Sequence, residues 1–289
     1  ILQYGAAAQK NIAGFSESTL NSVRTKDLGE IGQALSSLVV ELGMSRYLGR
    51  LFQPVMAPLF RVNGACAAAL ALGFVGGYPV GARTAISLYQ NGQCSKTEAE
   101  RLLAFCNNSN PVFLISVLGA GVFGSVRTGV WLWLIHVLSA LLTGLVFRGS
   151  GNAAVRRPVA RPAPFQAVRF VPALVGAVRS ALSGMLSVCA FVVFFYVLAR
   201  PLAALGGRPG PVLVGAVELF SLTPLLTADR FGLVLAAGAA GWGGLSVLCQ
   251  TLAVLEGSGL RLRNCLLGKA VQCAFSLLLA ALLAGYALG

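Results

Sequence analysis

The sequence predicts an all-α fold, a polytopic bundle of helices in a membrane. Hydrophobic residues make up 56% of the 289 residues, charged residues 11%, and the mean hydropathy is +0.78, outside the usual range of soluble domains. Apolar runs of about 20 residues, the length that crosses a bilayer core, recur along the chain. Between them lie short runs rich in Gly, Pro and Asn, which a bilayer tolerates only where they are buried or line a polar cavity.

Charge and composition exclude several other classes of protein. The net charge is +13, but the arginines are scattered between apolar runs, so we expect no binding of nucleic acid. The seven cysteines form no Cys-x-x-Cys pair, and His136 is the single histidine. We therefore expect no enzyme, no metal site and no cofactor, apart from a coupling ion, H⁺ or Na⁺, if a gradient drives transport.

The first membrane repeat is predicted over residues 36–147, after a polar and atypical N-terminal segment, residues 1–35. Residues 63–83 are apolar but broken by glycine and proline, which predicts a re-entrant hairpin with two short arms. A broken helix over residues 101–126 follows. A regular spanning helix, residues 128–147, closes the repeat.

Polar residues interrupt the broken helix of the first repeat. Its start carries Ser95 and Glu98 at the spacing of a capping box. Further on, Pro111 removes a backbone N–H and disfavours helical geometry at the preceding residue. The unwound backbone and its side chains could then face a ligand, and the alternative is a polar helix end at the membrane interface. The candidate binding residues are Asn107, Asn108, Ser109 and Asn110.

The glycine-rich tip of the hairpin is the second candidate region. It lacks the spacing of a nucleotide-binding loop, so a tight turn explains it better. Arg83 follows the turn, and its guanidinium could pair with a carboxylate of the substrate; the alternative is an arginine that reaches the cytoplasmic interface. The candidate residues here are Gly77, Tyr78, Pro79, Gly81 and Arg83.

The second repeat, residues 170–289, is predicted to have the same plan in the opposite orientation. It follows an Arg- and Pro-rich linker, residues 148–169, which should be cytoplasmic because positively charged loops stay on that side. Lys269, Arg261 and Arg263 are expected near the same side. The second repeat contains in order a spanning helix (171–199), a hairpin that enters from outside (210–232), a broken helix (233–255) and a closing helix (264–288).

The second repeat has its own candidate residues. Glu218 is a lone acid in an apolar run, so it either couples transport to an ion or pairs with an arginine such as Arg179. Gly243 and Gly244 would allow close approach of the backbone, although small residues also promote helix packing. His136 is interpreted as a packing residue rather than a proton relay. The remaining candidates are Thr223, Ser246 and Gln250.

Four motifs resemble the sporulation integral membrane protein family YlbJ/SpoVV, which carries a nucleoside-recognition, or gate, domain and is distantly similar to concentrative nucleoside transporters. The motifs are residues 76–83, residues 95–111, Glu218 and residues 241–250. The resemblance extends from about Ser36 to the end of the chain. It implies a secondary transporter in the bacterial cell membrane that exports dipicolinic acid from the mother cell, across the outer forespore membrane, during sporulation.

The expected partners are the lipid bilayer, a small anionic substrate that is aromatic or aliphatic, and a second copy of the chain in a homo-oligomer. Two alternative functions stay open at this stage. One is a transporter of nucleosides or of another small molecule. The other is a membrane scaffold for assembly of the spore envelope, which transports nothing.

Overall fold

Helices are the regular secondary structure of residues 45–149, 170–205 and 207–289, the parts of the chain that this computed structural model describes. These parts contain no β-strand, so the predicted all-α fold is confirmed. The polar N-terminal segment and nearly all of the Arg- and Pro-rich linker lie outside the described residues.

The described residues of the first half contain five α-helices and two other helical elements. Phe60 and Gly64 flank a bend of 97° between the first two helical stretches. The elements are α1 (Ser45–Phe60), a 3₁₀ turn (Gly64–Cys66), α2 (Ala67–Gly76), α3 (Val80–Gln90), α4 (Lys96–Leu102), a π-helix (Phe113–Val122) and α5 (Val126–Val146).

Over its described residues the second half contains six α-helices and one 3₁₀ turn. Its first helix, α6, packs against α7 and α10. The elements are α6 (Phe170–Ala203), α7 (Pro209–Val217), α8 (Leu219–Leu222), a 3₁₀ turn (Thr223–Leu225), α9 (Arg230–Trp242), α10 (Gly244–Leu255) and α11 (Arg263–Leu288).

The described residues include four helices that are long and apolar enough to cross a membrane. A fifth crossing results if the bent pair around residues 61–63 counts as one. The four are α5, residues 182–203 of α6, the α9–α10 pair and α11. Their length matches the thickness of a bilayer core, and their composition is apolar. Both observations confirm the predicted location in a membrane.

The helix breaks lie close to where the sequence predicts them. Residues 77–79 separate α2 from α3, Glu218 separates α7 from α8, and Gly243 ends α9 with a left-handed φ of 86°. The capping box at Ser95 and Glu98 is also confirmed. The helix predicted to be broken over residues 101–126 is interrupted over residues 103–110, since α4 ends at Leu102 and helical structure resumes after Asn110.

Close backbone packing holds the first hairpin, α2 and α3, against residues 103–110, which follow α4 and which we call the unwound segment. A Cβ atom at Gly73 or at Gly81 would overlap the carbonyl oxygen of Cys106. Only glycine fits at both positions, because each faces the same carbonyl group. The two hairpin arms and the chain at Cys106 therefore form one packed unit.

Two apolar clusters enclose a polar layer in the middle of the bundle. One contains α1 to α4 together with the end of α10 and the start of α11, and the other contains the π-helix, α7, α9 and the end of α11. Four chain segments pass from one cluster to the other: the unwound segment, α5, α10 and α11. Each carries buried polar side chains where it crosses. We call these side chains the central polar layer: Asn107, Asn108, Ser109, His136, Ser139, Ser246, Gln250, Thr251, Lys269, Gln272 and Ser276.

Contacts at one end and in the middle of the two helices show that α5 and α11 are antiparallel. The Thr128 hydroxyl, at the start of α5, donates to the carbonyl oxygen of Ala287, at the end of α11, over 2.8 Å. The Ser276 hydroxyl donates to Ser139 Oγ over 2.9 Å near the middle of both helices. The predicted inverted repeat requires that its two closing helices run in opposite directions, as α5 and α11 do. The repeat itself stays a prediction.

Candidate functional site

A chain of hydrogen bonds runs through the central polar layer from α11 to the unwound segment. Lys269 Nζ donates to Gln272 Oε1 over 2.8 Å, and Gln272 Nε2 donates to Asn108 Oδ1 over 3.0 Å. Asn108 Nδ2 in turn donates to the carbonyl oxygen of Phe105 over 2.9 Å. The ammonium group is thereby connected, through two amides, to the backbone of the unwound segment.

Lys269 is a fully buried cation, with 0% of its surface exposed. Its ammonium group also lies 4.9 Å from the centroid of the Tyr78 ring, within the range of a cation–π interaction. Neither neighbour is an anion, and no Asp or Glu of the described residues forms an ion pair with Lys269. An ammonium group has three donors, and the hydrogen bond to Gln272 uses one of them.

His136 connects α5 to the same unwound segment. The backbone N–H of Ser109 donates to His136 Nε2 over 3.0 Å. Since Nε2 accepts a hydrogen bond, the neutral imidazole carries its proton on Nδ1. His136 Nδ1 is buried and has no hydrogen-bond partner among the described residues. The layer therefore contains a second unsatisfied donor besides Lys269.

The second broken helix contributes hydroxyl and amide groups to the layer. Asn107 Nδ2 donates to Thr251 Oγ1 over 2.9 Å, which joins the unwound segment to α10. Gln250 Nε2 donates to Ser246 Oγ over 3.1 Å within α10. Asn107 Oδ1 is buried without a partner in the described part of the chain. The layer thus offers at least one unused acceptor besides its donors.

Each hairpin tip contacts the helix break of its own half. A Cβ atom at Gly77 would lie 3.1 Å from Cβ of Asn110, and one at Gly244 would lie 3.3 Å from Cα of Glu218. The two halves also meet each other, because the Tyr78 hydroxyl donates to the carbonyl oxygen of Ala240 over 2.8 Å. The structure therefore brings the predicted breaks of both halves together.

The other candidates lie around this meeting point. Gly81 packs against the backbone at Cys106 and Asn107, and Pro79, buried, precedes α3. Gly243 adjoins Tyr78, since a Cβ atom there would lie 3.4 Å from the tyrosine oxygen. The half-buried Arg83 lies one turn into α3, and the half-buried Thr223 begins the second 3₁₀ turn.

The Glu218 carboxylate caps the short helix α8. Its Oε1 accepts from the backbone N–H of Phe220 over 3.0 Å, and its Oε2 accepts from the hydroxyl group of Ser221 over 2.6 Å and from the backbone N–H of the same residue. The predicted alternative of a pair with Arg179 is wrong, because the described residues include no such ion pair and the Arg179 residue is exposed. Both carboxylate oxygens are occupied by groups of their own turn.

Two helical faces of the site could have been found in the sequence. Lys269, Gln272 and Ser276 follow the i, i+3, i+7 spacing of one helical face, and His136, Ser139 and Thr143 follow it on α5. The expected position of Lys269 near the cytoplasmic side stays a prediction, but the side chain lies buried in this polar stripe and not at the surface. His136 is likewise a member of the hydrogen-bonded layer and not only a packing residue.

The described residues contain no cluster of the side chains that usually bind a transition metal. No group of three or more His, Cys, Asp or Glu side chains comes together in them as ligands for a metal ion. The groups of the central polar layer are suited instead to an organic ligand, because they are amides, hydroxyls, an imidazole and an ammonium. An ammonium and an imidazole N–H select for a ligand that accepts hydrogen bonds.

Two family models match the chain. Residues 31–129, which include the first hairpin and the unwound segment, match the model described as Gate, nucleoside recognition. Residues 1–45, almost all outside the described residues, match the model described as toxic anion resistance protein (TelA). The first match confirms the resemblance to gate-domain proteins that the motifs predict.

A curated relative supports the resemblance to the sporulation integral membrane protein family. The sporulation integral membrane protein YlbJ of Bacillus subtilis (strain 168) is 40% identical over 118 residues, which are 41% of this chain. The match spans 29% of the length of that relative. No solved structure matches the chain.

Proposed function

We propose, on the premise that residues 31–129 are a gate domain of the nucleoside-recognition family, that this membrane protein transports a small anionic metabolite. The observation that carries the proposal is the buried ammonium group of Lys269, which has no carboxylate partner among the described residues. The substrate would bind in the central polar layer, between the two apolar clusters.

The physical argument starts from the cost of an isolated charge. An ion without a counter-charge is several kcal/mol less stable in a low-dielectric interior than in water. One hydrogen bond to Gln272 and the ring of Tyr78 offset part of that cost. A bound anion would offset more of it, so the site favours anionic ligands over neutral ones of the same shape.

Dipicolinate is the specific substrate that we propose. It is a rigid aromatic dicarboxylate, and the layer offers an ammonium group, amide groups and the aromatic ring of Tyr78 near one another. The relative in Bacillus subtilis is a sporulation integral membrane protein, which supports a role in sporulation. In this role the protein would export dipicolinate from the mother cell across the outer forespore membrane.

The transport test uses the purified chain in liposomes. Dipicolinate is supplied outside, and its uptake is followed with proton, sodium or no gradient across the bilayer. We expect uptake by the wild type, a loss of at least about tenfold for Lys269→Gln, and wild-type uptake for Arg179→Gln, an exposed cation on α6. Equal uptake by the wild type and Lys269→Gln would contradict the proposed role of Lys269.

Nucleosides are the second candidate substrate class, because the matched model is described as nucleoside recognition and the layer is rich in amides. A neutral nucleoside would use the amide groups of Asn107 and Asn108 and would depend little on Lys269. Competition distinguishes the two classes. Excess uridine or adenosine should leave uptake of labelled dipicolinate unchanged if the substrate is an anion, and should abolish it if the site is made for nucleosides.

A further inference from the structure

We propose that His136 binds the proton that drives transport, and that binding of an anion beside Lys269 is what allows His136 to take it up. This inference rests on the proposed function, and it adds the coupling ion and the residue that carries it. The geometry behind it is the hydrogen bond from Ser109 to His136, with Lys269 at the other end of the same polar layer.

The first step concerns the hydrogen bond between Ser109 and His136. In the structure the lone pair of Nε2 accepts the backbone N–H of Ser109 over 3.0 Å. A proton from the aqueous phase that binds to this lone pair forms a new N–H bond, and Nε2 becomes a donor. The backbone N–H of Ser109 then loses its acceptor, so protonation releases the unwound segment from α5.

The second step concerns the charges around His136. Lys269 on α11 is a cation of the same hydrogen-bonded layer: Gln272 links it to Asn108, the residue before Ser109, and the Ser109 N–H donates to His136. The thiols of Cys106, Cys265 and Cys273 surround Lys269, and the hydroxyl of Tyr78 adjoins Ser109. The π-helix carries no titratable side chain, and the arginine of α9, Arg230, is at its first residue. No carboxylate therefore balances Lys269 among the described residues of these elements.

The third step connects protonation of His136 with the charge of Lys269. The ammonium group of Lys269 repels a second positive charge on His136, and this repulsion is strong because both groups are buried. An anion bound beside Lys269 neutralises it and removes the repulsion. Proton binding and anion binding then favour each other by the same factor, which is the linkage that a proton-coupled anion transporter needs.

Because His136 is the single histidine of the chain, its imidazole can be observed directly. Protein labelled with ¹⁵N-histidine, in nanodiscs, gives one pair of imidazole signals whose shifts report tautomer and protonation. We expect the neutral ring to carry its proton on Nδ1. Lys269→Gln should raise the pH midpoint of the His136 titration by about one unit or more, with no ligand present. Equal midpoints, or a proton on Nε2 in the neutral ring, would overturn the proposal.

The second measurement follows protons in liposomes that contain a trapped pH-sensitive dye. An inward dipicolinate gradient should acidify the lumen with the wild type and with Arg179→Gln, whereas His136→Gln should abolish the acidification. Dipicolinate uptake without acidification by the wild type would overturn the inference and leave the proposed function standing. If the wild type moves no dipicolinate, the proposed substrate fails, and the histidine titration still decides whether Lys269 controls His136.

Discussion

Tyr78 and Lys269 meet across the two halves of the chain, with the lysine ammonium 4.9 Å from the centroid of the tyrosine ring. Tyr78 belongs to the break between α2 and α3, and its hydroxyl also donates to the carbonyl oxygen of Ala240 in α9. Lys269 lies one and a half turns into α11. One aromatic side chain thus joins the first hairpin, the second broken helix and the buried cation.

Replacing Lys269 by methionine should separate stability from binding. The substitution removes a buried charge and fills the same volume with an apolar chain, so we expect an unchanged or higher thermal midpoint of unfolding in detergent. Anion binding should be lost in the same protein. A large fall in the midpoint would show that Lys269 has a structural counter-charge and is not held for a ligand.

Tyr78→Phe should weaken the contact between the two halves and keep the aromatic ring beside Lys269. The variant loses the hydrogen bond to Ala240, which is worth about 0.5–1.5 kcal/mol in a typical protein. We expect a modest fall in thermal stability with little change in anion affinity. Tyr78→Leu, which removes the ring as well, should lower both.

Gly81→Ala should damage folding, because the added methyl group would overlap the carbonyl oxygen of Cys106. Such overpacking usually costs about 1–3 kcal/mol, and here the neighbour is backbone that cannot rotate away. The matched control is Gly285→Ala near the end of α11, where a Cβ atom would meet nothing within 4 Å. The yield of folded, non-aggregated protein in size-exclusion chromatography compares the two variants, and equal yields would contradict the tight packing of the first hairpin.

Glu218→Gln tests whether this acid couples transport or only caps α8. The amide group keeps one acceptor oxygen and places an NH₂ group against the backbone N–H of Phe220 or of Ser221, so stability should fall by about 1–2 kcal/mol. The dependence of uptake on the proton gradient should persist. Loss of that dependence, with the protein still folded, would make Glu218 a coupling residue and contradict its assignment as a cap.

The pH dependence of stability at the start of α9 follows from Asp229. The backbone N–H of Gly232 donates to its carboxylate, and this bond, followed by that from the Thr227 hydroxyl, lowers the pKa of Asp229 below its usual value. A lowered folded-state pKa contributes stability above the unfolded-state pKa, and that contribution disappears as the pH falls through the folded-state pKa. The protection of the first-turn amides of α9 against hydrogen exchange, taken relative to the intrinsic rate at each pH, should therefore fall below about pH 4 in the wild type and not in Asp229→Asn.

The sequence predicts the positions of the helix breaks well, because Gly, Pro and a lone acid interrupt a helix through interactions with their own neighbours in the chain. Gly77 and Gly243 adopt positive φ angles, and Glu218 interrupts an apolar run as an N-cap. The capping box at Ser95 is equally local. These features depend on residues within one turn of each other, so a single sequence contains the information.

The sequence does not predict which polar residues meet. Lys269 lies six residues after Arg263, and charge alone assigns both to the same side of the membrane. Its burial depends on Gln272, on Asn108 and on Tyr78, which come from three separate segments. The partners of His136 are distant in the same way. Only the i, i+3, i+7 polar stripes of α5 and α11 indicate that two closing helices face a common polar layer.

The most direct test of the anion site is equilibrium binding of dipicolinate to the purified protein by isothermal titration calorimetry. We predict binding by the wild type, and a dissociation constant at least about tenfold higher for Lys269→Gln, because a hydrogen bond to a charged group is worth about 1.5–3 kcal/mol. Arg179→Gln should bind as the wild type does. Equal affinity of the wild type and Lys269→Gln would contradict the assignment of Lys269 as the anion-binding group.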